Sequence, residues 1–199
     1  MTITDGRRAR GALSRSSVMR LAVNRASVGG LDGLTIGSLA IGSGHSKSGV
    51  AGLFGTKEQL QLATVEAARE IFVEEVIAPA LALHGGRERL DGLFESWIHY
   101  SESRVFAGGC FFAAAAAELG SRPGPVRDAV ARASLDWDAT LARIIGRAVE
   151  RGELAPIDDM DQIVFEVRAI LDTANNNSLL FASSAPYDRA RTALRKLFR

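Results

Sequence analysis

Cysteine is almost missing from these 199 residues. Cys110 stands alone, so no intrachain disulfide can form, and the chain fits a reducing, cytoplasmic setting. One thiol and the scattered His45, His84 and His99 do not make a zinc-ligand pattern. Long apolar runs are missing too: the uncharged stretch Val105–Ala117 has 13 residues, short of the ~20 a membrane-spanning helix needs. Asp5, Arg7, Arg8 and Arg10 precede no apolar block, so no signal peptide is expected. Enzyme signatures are absent. There is no Gly-x-Gly-x-x-Gly behind a strand, no Walker lysine loop, no His-Glu-x-x-His and no triad spacing. The chain is therefore read as a non-enzyme with no cofactor and no metal. Alternating β-branched runs with hairpin turns are lacking as well. The 47% hydrophobic and 24% charged content excludes disordered and collagen-like classes.

What is present is helical spacing almost throughout. Val18, Ala22, Val23 and Ala26 share one face with Met19 beside them, ending at Gly29-Gly30. Thr35 caps a short helix carrying Ile36, Leu39 and Ala40, Gly42-Ser43-Gly44 breaks it, and Ser46 caps another that runs to Phe54. Thr56 caps a long helix with Leu60, Ala63, Ala67, Ile71 and Phe72 inside, which Pro79 should end or kink. Leu90, Phe94, Trp97 and Ile98 mark the next. Phe106–Ala117 is apolar all round, which predicts a helix buried on every side. A stripe from Val126 to Ala148 follows, with Gly152 as its C-terminal glycine. Asp158, Asp159 and Asp161 then crowd a helix start. Ile163, Val167, Ile170, Leu171, Ala174 and Phe181 continue that helix, and Pro186 opens a last one with Ala190, Leu194 and Leu197 inside. The class is all-α, with about nine helices.

Charge divides the chain. Residues 1–60 hold eight Lys/Arg against three acids, a net +5, while the remaining 139 residues carry −4. A basic head on an acidic body suits a polyanionic partner, although a few solvated arginines would give the same count. Three short helices with a tight glycine turn between the second and third make a helix-turn-helix unit. The second helix is Thr35–Ile41, the turn Gly42–His45 and the recognition helix Ser46–Leu53. The free start of a recognition helix reaches base edges in the major groove, and its amides hold phosphate.

The stretch GLDGLTIGSLAIGSGHSKSGVAGLFGTKEQLQLA, Gly30–Ala63, resembles the TetR family of bacterial transcriptional regulators. The likeness lies at Gly30, Gly33-Leu34-Thr35, Leu39-Ala40, Gly44, Ser46, Gly49, Phe54, Lys57-Glu58 and Leu60, without a gap. The later GGCFFAAAAAEL and RPGPVRDAV are similar to the ligand domain of one branch. The resemblance implies a three-helix helix-turn-helix DNA-binding head over residues 1–56. It implies an all-helical ligand-binding and dimerisation body over 57–199, a homodimer through the last two long helices, and a pocket whose small-molecule ligand releases the operator, as in a repressor. Several positions depart from the family pattern. Ala51 replaces an aromatic residue, Gly52-Leu53 a pair such as His-His, His45 an apolar residue and Ala26 a Phe. Interior Gly37, Gly42, Gly49 and Gly52 each cost about 1 kcal/mol relative to Ala, which predicts a loosely held head. The alternative is a helical small-molecule-binding protein whose head binds DNA weakly or not at all.

The DNA-binding candidates are Thr35, Ser46, Lys47, Ser48, Gly49, Val50 and Lys57, with double-stranded operator DNA as partner and Arg7, Arg8 and Arg10 as an arm. Phe94, Trp97, Cys110, Phe111, Trp137, Phe165 and Asn175 are candidates for the implied pocket, or else plain core. Asn175-Asn176-Asn177-Ser178 interrupts an apolar helix, either to meet a ligand or to mark a solvated face or break. Cys110 reads as a buried apolar-like residue, and His99 as a surface partner of Glu95 and Glu102.

Overall fold

A computed structural model describes the backbone of residues 3–199 and the side chains from Arg15 onward. The described residues form nine helices and no strand. They are α1 (Ile3–Gly29), α2 (Ile36–Ser43), α3 (Lys47–Phe54) and α4, which runs Lys57–Phe72, a π turn Val73–Ile77 and a last turn Ala78–Leu81. After these come α5 (Gly86–Glu102), α6 (Phe111–Leu119), α7 (Pro125–Glu150), α8 (Met160–Leu180) and α9 (Ala185–Leu197). Among the described residues no helix is long and apolar enough to cross a membrane.

Side-chain caps start four of these helices. Thr35, Ser46 and Asp159 each accept from the amide three residues on. Thr56 and Gln59 form a reciprocal capping box at the start of α4. The apolar stripes point inward as their spacing requires: Val18, Ala22, Val23, Ala26, Leu60, Leu90 and Leu141 are all buried. One contiguous apolar cluster runs from Val18 to Phe198 and takes in residues of every helix. Its centre is aromatic. Phe72 stands edge-on to Tyr100, Phe112 and Trp137, with centroids 5.6, 5.9 and 5.1 Å away.

Four sequence expectations need correction. Of the two outcomes expected at Pro79, an end or a kink, the end does not fall there: the ladder widens into the π turn upstream of it and the chain stays helical to Leu81. Phe106–Ala117 is not one buried helix. Residues 103–109 are turn and bend, α6 starts at Phe111, and Ala116 and Ala117 face solvent, because a nine-residue helix packed on one side needs only Phe111, Ala115 and Leu119 inside. Glu95 and Glu102 pair with Arg191 of α9 rather than with His99. Phe181 lies past the end of α8 and is 64% exposed.

The asparagine run neither breaks α8 nor meets solvent throughout. Asn175 Oδ1 accepts from Ser101 Oγ and Cys110 N, both at 2.9 Å. Ser101 Oγ and Ser178 Oγ each lie 2.8 Å from Tyr187 Oη, and Arg104 donates to both Tyr187 Oη and Ser178 Oγ at 3.0 Å. This network joins α5, α8, α9 and the α5–α6 loop. In a low-dielectric interior such satisfied polar groups specify one arrangement of their elements.

Candidate nucleic-acid interface and ligand cavity

In the head, α2 and α3 cross through a turn at Gly44, whose φ of +69° suits glycine. The Ser46 hydroxyl is spent on its cap, accepting from Gly49 N at 3.0 Å. Ser46, Lys47, Ser48 and Gly49 are exposed, and the first two amides of α3 have no intrahelical acceptor. Thr35 is exposed with its hydroxyl accepting from Ser38 N. Lys57 is exposed, and its Nζ donates to Asp32 O at 2.7 Å. Val50 is 0% exposed; at the fourth position of α3 it turns inward and anchors the helix, so it presents no side chain to a partner. Arg15 donates to Leu53 O and lies over the Phe54 ring, tying α1 to α3. The side chains of Arg7, Arg8 and Arg10 lie outside the described residues.

A cavity of about 200 Å³ lies between α4, α5, α6, α7 and α8. Phe72, Trp97, Phe112 and Trp137 give it aromatic walls, and Val73, Ile77, Cys110 and Ala113 add apolar surface. Arg69, Asp136, Thr140, Arg168 and Asp172 supply polar groups. Trp97, Cys110 and Trp137 among the sequence candidates are at this wall. The others are elsewhere. Phe94 stacks on Phe198 at 5.6 Å, Phe111 is buried with its ring edge-on to Phe112, Asn175 belongs to the polar network, and Phe165 is 68% exposed. Phe72, Arg69, Arg168 and Asp172 were missed. Their spacing on α4 and α8 matches ordinary core and surface positions, and only the packing of α7 against both α4 and α8 brings them together.

Burial pushes the Cys110 thiol up to about 11, so it is a neutral, unreactive wall group. Burial also raises the Asp172 carboxyl, against the pull of Arg168. Among the described residues no cluster of His, Cys, Asp and Glu could hold a metal ion.

Cavity and head are joined through α6. Cys110, Phe112 and Ala113 at its start line the cavity. At its other end, Glu118 accepts from Leu31 N and Asp32 N at 2.7 and 2.8 Å. Asp32 in turn pairs with Arg122, which holds its carboxyl below the usual range, and Gln61 donates to Leu31 O. Before α6, Ala107 N and Gly108 N donate to Asn24 Oδ1 and Ser27 Oγ of α1. Gly108 permits that approach: a Cβ there would lie 1.9 Å from Ser27 O.

A family model described as the Tetracyclin repressor-like C-terminal domain matches residues 86–194. No curated protein matches in sequence. Among solved structures, a TetR transcriptional regulator from Chloroflexus aurantiacus is 24% identical, with 94% of each chain covered and a TM-score of 0.85. One from Cytophaga hutchinsonii is 21% identical, with the same coverage and a TM-score of 0.82. A transcriptional regulator from Saccharomonospora viridis, solved in complex with choline, is 18% identical, covering 93% of this chain and 95% of its own, at a TM-score of 0.74. These likenesses show the fold. With more than half of its length inside the family model, the chain belongs to the TetR family of transcriptional regulators.

Proposed function

We propose that the protein is a cytoplasmic, homodimeric DNA-binding repressor, not an enzyme, whose operator is released when a small molecule fills the α4–α8 cavity. The observation that carries this reading is the double attachment of α6, to the cavity at one end and to the α1–α2 turn at the other. A ligand that shifts Phe112 and Ala113 displaces Glu118, and with it the turn from which α2 departs. In this reading residues 1–56 are the DNA-binding unit and 57–199 the sensing and dimerising unit.

Lys47, Ser48 and the free amides of α3 face the major groove, and Lys57, Thr35 and the basic N-terminal arm meet phosphates. The dimer forms along α8 and α9, where Phe165, Leu180 and Phe181 are 68, 75 and 64% exposed, a set of large apolar side chains that a partner copy would cover. The choline-bound relative supports a small organic molecule as the effector class.

The test is fluorescence anisotropy with labelled duplexes from the DNA upstream of the protein's own coding region, at two salt concentrations, with random duplex as competitor. Selective binding that weakens as salt rises is expected. Equal affinity for all duplexes would overturn the specific-regulator reading.

A second reading, a ligand-binding protein with a degenerate head, is favoured by one observation. Ala51 is only partly exposed, and a Cβ at Gly52 would meet nothing within 4 Å, so the recognition helix presents little side chain beyond its first turn. Absence of DNA binding at low salt by the folded protein would select it.

A further inference from the structure

The cavity's charges are unevenly neutralised. Arg168 donates to Asp138 on α7 and lies 3.9 Å from Asp172 on its own helix. Arg69 on α4 lies 3.8 Å from both Glu66 and Asp136. Every guanidinium at the cavity thus faces two carboxylates. Asp172 is the converse: no hydrogen bond among the described residues reaches it, and its one cationic neighbour is engaged by Asp138. It faces a space walled by Phe72, Trp97, Phe112 and Trp137, beside the neutral Cys110. Burial disfavours its ionised form.

A half-buried carboxylate without a donor, next to four aromatic rings, is complemented by one kind of ligand. A cation gains Coulomb attraction to Asp172, and its methyl or methylene shell gains from the ring faces. An anion would meet guanidinium groups already engaged by carboxylates, and a neutral apolar molecule would displace water from the Asp172 carboxylate without replacing its hydrogen bonds. Size agrees. An apolar cavity of ~150 Å³ holds benzene, so about 200 Å³ takes a ring with a few further atoms.

We infer that the cavity binds a small organic cation, an ammonium group carried on a compact apolar or aromatic body, with Asp172 as its counter-ion. The inference rests on the proposed role of this cavity as the effector site.

The chain's two tryptophans, Trp97 and Trp137, both line the cavity, so intrinsic fluorescence of the full-length protein reports its occupancy. The probes are phenyltrimethylammonium, its neutral isostere tert-butylbenzene and the anion benzoate. The cation is expected to bind at least about tenfold more tightly than either. Asp172→Asn should abolish that preference while changing the affinity for tert-butylbenzene less than about threefold. In the unaltered protein, acidification below neutral pH should weaken binding of the cation and not of the neutral probe. Protonation removes the counter-charge, and burial brings that protonation to higher pH than for an ordinary aspartate. Equal or tighter binding of tert-butylbenzene or benzoate, no binding of the cation, or a preference untouched by both Asp172→Asn and acidification would overturn the inference. Anisotropy with operator DNA, run alongside, separates the two claims. Cation binding that leaves DNA affinity unchanged supports the ligand class and overturns its regulatory role. Operator binding by a protein that shows no cation preference overturns the ligand class alone.

Discussion

The head and the body hold their helices by different means. In the head, α2 and α3 are eight residues each and bury only Leu39, Ala40, Val50 and Phe54. Their ends are secured by Thr35 and Ser46, local caps that satisfy one amide apiece. The body buries a continuous aromatic centre and a satisfied polar network whose members come from α5, α8, α9 and the α5–α6 loop. Short capped helices with interior glycines are marginal alone, and most of their stability comes from the surface they are packed on. The contrast teaches that the body is the scaffold and that the contacts to α1, α4 and α6 decide how firmly α2 and α3 are held.

That contrast can be tested most directly by hydrogen exchange. Amides of α2 and α3 are expected to exchange at least about a hundredfold faster than those in the middle of α7. Equal protection would show that head and body unfold as one unit. Next in size is Asn175→Ala, which leaves the Cys110 amide and the Ser101 hydroxyl without their buried acceptor. A loss of about 3 kcal/mol in urea denaturation is expected, with a lowered denaturation midpoint. Glu118→Ala sharpens the comparison from the other side. It removes the acceptor for Leu31 N and Asp32 N, and a loss of about 1–2 kcal/mol is expected, with faster exchange through α2 and α3 and unchanged protection in α7. If α7 loosens equally, α6 is a core element and not a tether. The smallest effect is a gain. Gly52→Ala places a methyl in open space on a helical residue and should slow exchange in α3, stabilising the head by about 0.5–1 kcal/mol. Destabilisation would mean that the backbone at 52 needs glycine.

Much of this was legible in the residues. Caps at Thr35, Ser46 and Thr56 and the apolar stripes along α1, α5 and α7 follow from short-range spacing, and they appear where that spacing puts them. Val50 differs from its neighbours because the sequence pattern counts it with the exposed start of α3, whereas the fourth residue of that helix is buried in the apolar core. The cavity was the least legible part. Phe94, Phe111 and Phe165 look no different in sequence from Phe72 and Phe112, and aromatic side chains serve core, wall and exposed face alike.

Periodicity and capping chemistry act over three or four residues, so the sequence by itself determined where helices begin, which faces turn inward and which short helix has a free, polar start. Three features joined residues too distant in sequence for any pattern to pair. Asn175 meets Cys110 and Ser101, Glu118 meets the turn at Leu31 and Asp32, and Asp172 faces a chamber walled from α4, α5, α6 and α7. Only tertiary structure decided these, because burial and the absence of a competing donor belong to the packed assembly of helices and not to any one of them.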